Sequence, residues 1–225
     1  MSYIFTRLYG ILICSYVVIT LPSTVLSHQS LVLPLKIRWP QLFDDTALCI
    51  GSMVPDLDLL LPGYRIFHDL DSLVILLPLA LVLVLVFDKV FAPRIAIIAS
   101  RNQSSVVTRL LCYFGMDGLG VLKSKHVTSH WLTQATYSVL IGILSHFLLD
   151  LPTHRWITYL RPFFDGPMPD WFLHFYGFVN IPLYGEIAVT RTRVLQWILS
   201  IVLGVITLYY LRYMKTHQLL DKWYH

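Results

Sequence analysis

Long apolar runs broken by isolated polar residues dominate the chain. Residues 8–21 (LYGILICSYVVITL), 73–87 (LVILLPLALVLVLVF), 132–151 and 194–211 (VLQWILSIVLGVITLYYL) each have the apolar length or character of a membrane-crossing helix. About 20 residues are needed to cover the hydrocarbon core, so the second run needs its flanks. Pro78 within it is tolerable where neighbouring helices re-satisfy the freed carbonyl. Residues 40–61 are apolar in patches but interrupted by Asp44, Asp45, Pro55, Asp56 and Asp58. They read as a half-inserted helix followed by a turn. From 88 to 131 come Lys89, Arg94, Arg101, Arg109, Lys123 and Lys125, with Gly115, Gly118 and Gly120 as breakers. That pattern predicts a cytoplasmic connection holding an amphipathic helix near 104–114. The stretch 160–185, rich in proline, glycine and aromatics, reads as an interfacial loop or lid.

These elements predict an all-α fold, a polytopic transmembrane bundle of about four spans plus a half-inserted or amphipathic helix. Residues 22–215 form one membrane-embedded domain, preceded by a hydrophobic segment, 1–21, and followed by a short tail, 216–225. The first segment reads as a span, a cleaved secretory signal or a start placed too early, and a retained span is expected because Arg7 then lies inside.

Composition agrees. Of 225 residues 56% are hydrophobic and only 13% charged, against about 25% charged in soluble domains, which excludes a water-soluble globular protein. The net charge of +4 is modest and the basic residues are scattered, so no nucleic-acid groove is indicated. Cys14, Cys49 and Cys112 lie far apart and are odd in number, which fits neither a metal knuckle nor a disulfide framework. Placing the N-terminus, 88–131 and the C-terminal tail inside gives ten Lys and Arg inside against seven outside. This predicts a multi-pass cell-membrane protein, with His68 and Asp150 both near the outer surface.

The stretch GILSHFLLDLPTH, residues 142–154, then changes the picture. His146, Asp150 and His154 recur every four residues, close to one helical turn. Ionisable groups in hydrocarbon cost roughly 2.5–3.5 kcal/mol each on insertion scales, so three on one stripe call for a use. Three more pieces converge on the same side: His28 in LSHQS, Asp56 and Asp58 after Pro55, and His68 at the mouth of the second span. Imidazole nitrogen and carboxylate oxygen suit zinc, manganese or iron, and such an ion activates water for attack on an ester or phosphoester.

The pieces STVLSHQSLVLPL, IGSMVPDLDLL, FHDLDSLVILLPLALVLVLVF, LIGILSHFLLDLPTH and IPLYGEIAVTRTRVLQWILSIVLG resemble, in order, a prokaryotic membrane family of unknown function. Its members begin MPFTLSH, and it resembles the YdjM-type membrane-bound, metal-dependent hydrolases. The likeness runs over roughly residues 22 to 211, and its most specific match is Ser145, His146, Asp150, Thr153 and His154. The YdjM-like second histidine near the mouth of the second span is replaced here by Asp71 and Ser72. The resemblance implies His28, Asp56, His68, His146, Asp150 and His154 as the site positions.

The expectation is therefore a hydrolase holding a divalent metal, zinc or manganese, on His28, Asp56, His68, His146, Asp150 and His154. Asp150 and Asp58 are its candidate catalytic carboxylates. Membrane lipids and a lipid-like or interfacial substrate are the expected partners. The alternative is a non-catalytic membrane protein that uses the same cluster for ion binding or proton relay.

Overall fold

A computed structural model describes residues 26–60, 69–101, 105–153, 156–157, 166–181 and 185–224. The apolar run expected at 8–21 lies outside the described residues.

The chain enters through α1 (Gln29–Arg38), which contains Pro34. Within 40–61, where a helix followed by a turn is expected, lies the short helix α2 (Asp45–Gly51), whose N-cap Asp44 accepts a hydrogen bond from the Ala47 amide. The expected turn after it is a 3-10 helix, Val54–Leu60. Next comes α3 (Leu73–Val86), which does not stop at residue 87. It passes through a wider π-helical turn, Phe87–Phe91, into α4 (Ala92–Ser100), a continuous 28-residue run. Asp88 and Lys89, assigned from sequence to a connection, therefore sit within the helix. Their charge is tolerated because Asp88 is buried against partners and the Lys89 ammonium donates to the Lys123 and Lys125 carbonyls.

The amphipathic helix is α5 (Val106–Tyr113), capped by Ser105. Gly115 follows at φ 83°, a left-handed position that only glycine adopts at low cost. A 3-10 stretch, Met116–Ser124, leads to α6 (Ser129–Asp150), capped by Thr128. Beyond α6 the expected loop contains strands. β1 (Trp156–Ile157) pairs with β2 (Gly166–Pro167), and β3 (Phe175–Ile181) pairs antiparallel with β4 (Gly185–Thr190). The aromatic and β-branched residues of 175–181 favour a pleated ribbon once a partner strand is available. The last elements are α7 (Arg191–Thr216) and α8 (Leu219–Tyr224).

The structure is mostly helical. Three helices among the described residues are long and apolar enough to cross a membrane: Leu73–Ser100, Ser129–Asp150 and Arg191–Thr216. The core lies where α2, α3 and α6 meet. Leu76, Ala80 and Val84 of α3 face Ala135, Val139, Ile143 and Phe147 of α6, both rows spaced four residues apart as one helix face requires.

Candidate metal centre

Small residues decide how the site is built. A Cβ on Gly51 would lie 2.5 Å from the Val139 carbonyl oxygen, and one on Gly142 would lie 2.6 Å from the Leu48 oxygen and 2.7 Å from the Ser52 nitrogen. Only glycine at both positions lets the end of α2 touch the backbone of α6. This contact brings the Ser52 carbonyl to 2.9 Å from Nδ1 of His146. A carbonyl only accepts, so Nδ1 carries a proton and donates it there; when the ring is neutral, its lone pair is therefore at Nε2.

That Nε2 faces carboxylates. It lies 3.1 Å from Oδ2 of Asp150, one turn along α6, and 3.7 Å from Oδ1 of Asp56 on the 3-10 helix. His28, at the N-cap of α1, stacks on the His146 ring with centroids 4.2 Å apart. Its Nε2 is 3.7 Å from the other oxygen of Asp150. The Asp150 carboxylate thus sits across both imidazole edges, and His28, His146 and Asp150 are all buried.

Metal–nitrogen and metal–oxygen bonds of about 2.0–2.2 Å put neighbouring ligand atoms roughly 3.0–3.5 Å apart in a tetrahedral or octahedral shell. The His146–Asp150 separation of 3.1 Å falls inside that range, and the two of 3.7 Å fall just outside it. One ligand atom each from His28, His146 and Asp150 lies within 4.8 Å of the others, so this buried group can hold a metal. Its donors are imidazole and carboxylate, and the backbone carbonyl on His146 Nδ1 is the kind of outer partner that orients a ligating histidine.

Of the residues expected from sequence, His28, Asp56, His146 and Asp150 are brought together. His68, His154 and the side chain of Asp58 lie outside the described residues. Ser52 was not anticipated; its contribution is a backbone carbonyl, which carries no residue-specific signal.

A second buried polar cluster, at the other end of α6, was not anticipated either. The Lys125 ammonium donates to Asp45 Oδ1 at 2.8 Å, to Asp44 Oδ2 at 3.0 Å and to Thr46 Oγ1 at 3.1 Å, and pairs with Asp88 Oδ2 at 3.1 Å. The Trp131 indole donates to Asp44, the Thr46 hydroxyl to Asp88, and the Tyr224 hydroxyl of α8 to Asp45. Burial alone would pull the Lys125 amine down, but Asp45, Asp44 and Asp88 outweigh it and hold it above the usual lysine range. Burial would likewise raise the Asp45 carboxyl, yet Lys125 and Lys36 keep it below the usual carboxylate range. Two adjacent aspartates before an apolar helix, and one aspartate after fifteen apolar residues, were the available signal; neither says which lysine answers them.

The chain belongs to a family described as a domain of unknown function (DUF4184), whose model matches residues 21–223. No curated protein and no solved structure matches the chain.

Proposed function

We propose that this member of a family of unknown function is a multi-pass membrane hydrolase, dependent on a divalent metal and acting on an interfacial, lipid-linked ester or phosphoester. The single observation that carries the reading is the hydrogen bond that His146 Nδ1 makes to the Ser52 carbonyl at 2.9 Å. It leaves Nε2 of the neutral ring as the metal-binding nitrogen, aimed at a carboxylate oxygen 3.1 Å away. Two acceptors that close repel unless a proton or a cation lies between them, and the stacked His28 adds a further nitrogen to the same place.

His28, His146 and Asp150 would hold the ion, zinc or manganese, with His68 and His154 as further ligands drawn from the sequence pattern. A divalent ion so held supplies Lewis acidity and lowers the pKa of water in contact with it. Asp56 comes from a separate element and lies beside His146 Nε2, which suits it to receive a proton or to orient the attacking water. Asp58, two residues on, is the second candidate. Kinship to the YdjM-type hydrolases and an outward-facing site are parts of the same proposal. The first rests on the Ser-His-x-x-x-Asp-x-x-Thr-His segment and the second on ten basic residues against seven.

Metal analysis of the detergent-purified protein tests the site. The parent should retain one or two equivalents of zinc or manganese, and a His146→Ala/Asp150→Ala double variant should lose them. Equal content in the two would overturn the metal centre. Hydrolysis of a lipid phosphodiester in mixed micelles tests the reaction. It should fall at least a hundredfold in Asp150→Asn, and a metal-loaded parent with no turnover of ester or phosphodiester lipids would leave the ion-binding alternative standing.

A further inference from the structure

The β3–β4 ribbon exposes Phe175, Tyr176, Phe178 and Val179, and Trp171 just before it is exposed too. Phe178 is 61% and Tyr176 57% accessible, so these rings do not pack into the helical core.

Position decides what they meet. α7 is 26 residues long, about 39 Å at 1.5 Å per residue, and the hydrocarbon core is about 30 Å thick. Only 6% of its apolar window is buried, so α7 is a helix whose sides face lipid if it spans. Its first turn then lies at headgroup level, and the ribbon is fastened to that turn. β4 runs directly into Arg191, the Arg191 amide donates to the His174 carbonyl, and the Thr192 amide donates to the Phe172 carbonyl. The ribbon cannot leave the membrane surface without breaking these bonds.

Its chemistry is graded along its length. Next to α7, the Arg191 guanidinium lies over the Trp171 ring at 4.7 Å and its Nε donates to the Tyr176 hydroxyl. Arg193, two residues on, is exposed. Farther out, the exposed pair Asn180 and Glu186 face each other across the strands. Aromatic rings with polar edges, beside arginines, suit the zone between phosphates and acyl chains, whereas a glutamate does not.

We infer that the α7-proximal half of this ribbon, with Trp171, Tyr176 and Phe178, is seated in the phospholipid interface, and that its Glu186 end stays in water. The inference rests on α7 spanning the membrane and not on the chemistry of the metal centre.

Spin labels test it in full-length protein with Cys14, Cys49 and Cys112 replaced by serine, reconstituted into phosphatidylcholine–phosphatidylglycerol vesicles. Labels are placed at Phe178→Cys, Glu186→Cys and, mid-way along α7, at the exposed Val205→Cys. Power saturation then compares accessibility to oxygen and to a water-soluble nickel chelate. Position 178 should favour oxygen, as position 205 does, and position 186 should favour nickel. Nickel preference at 178 with oxygen preference at 205 overturns the ribbon's seating and leaves the span intact. Nickel preference at both overturns the span reading as well. A label at 178 shielded from both reagents would mean that protein, a second copy included, covers the ribbon, and that too overturns a lipid-facing surface.

Discussion

Two buried polar clusters flank α6, and they differ in what answers their carboxylates. Near Trp131, Asp44, Asp45 and Asp88 converge on the Lys125 ammonium. Near Asp150, carboxylates face the imidazoles of His28 and His146. The clusters are about 22 Å apart along the helix, from the fifteen-residue step between Trp131 and His146. Between them lie Ala135, Val139 and Ile143, all fully buried. An ammonium has donors only, so the Lys125 cluster is closed upon itself and fastens distant parts of the chain together. A neutral imidazole that has committed one nitrogen to a backbone carbonyl keeps a lone pair on the other. Charge burial at one end therefore serves assembly, and at the other it suits a ligand.

The most direct way to break this comparison is Lys125→Met. Three carboxylates would lose their shared cation in a buried setting, and removing one partner of such a cluster costs about 3–5 kcal/mol. The melting temperature in detergent should drop steeply, whereas Asp150→Asn, compared with the parent after both are stripped of metal by a chelator, should leave it nearly unchanged. Parent-like melting of Lys125→Met would mean the ion cluster is not what holds that end.

Gly142→Ala should act at the other end. Its Cβ would meet the Leu48 oxygen at 2.6 Å, so α2 must shift, at about 1–3 kcal/mol for overpacking. The Ser52 carbonyl would move with α2, and metal retention should weaken. Gly204→Ala is the control, because its nearest neighbour is Leu26 Cβ at 3.9 Å; its melting should equal the parent's or rise slightly, since alanine is the better helix former. Identical behaviour of the two alanine variants would remove the close helix contact as the device that orients His146.

A smaller loss is expected from Tyr224→Phe. The ring stays over the Lys125 ammonium, 4.9 Å from it, but the hydroxyl that donates to Asp45 at 2.6 Å goes. One net hydrogen bond is worth about 0.5–1.5 kcal/mol, and hydrogen exchange in 219–224 should speed up accordingly. Unchanged exchange would show that α8 is held by packing alone.

The smallest effect is that of pH near neutrality. The depressed Asp45 carboxyl contributes fully above its unfolded value of about 3.9, and the contribution is lost as pH falls below that. The raised Lys125 amine contributes fully below about 10.4 and loses its contribution only above that. The stability gap between the parent and Asp45→Asn should thus stay constant from about pH 7 to 9 and narrow in strong acid. A gap that closes between pH 7 and 9 would contradict the pairing.

Composition and run length were enough to determine that the chain is built of long apolar helices, because both are local properties that hold whatever the helices pack against. Periodicity placed the amphipathic helix, read near 104–114 and found at Val106–Tyr113, and the four-residue spacing put His146 and Asp150 on one stripe. The end of the helix that begins at Leu73 was misread. Charged residues at 88 and 89 mark a boundary only if nothing in the fold answers them; here Thr46 and Lys125 answer the buried Asp88, and the Lys123 and Lys125 carbonyls accept from the exposed Lys89. The β3–β4 ribbon was missed for a related reason, since strand formation depends on a partner as much as on the residues themselves. Tertiary structure alone decided which aspartates Lys125 answers, that His28 stacks on His146, and that Gly51 and Gly142 let the Ser52 carbonyl fix a histidine's proton. Each of these joins residues tens of positions apart through contact geometry, and a linear pattern carries no information about distance in space.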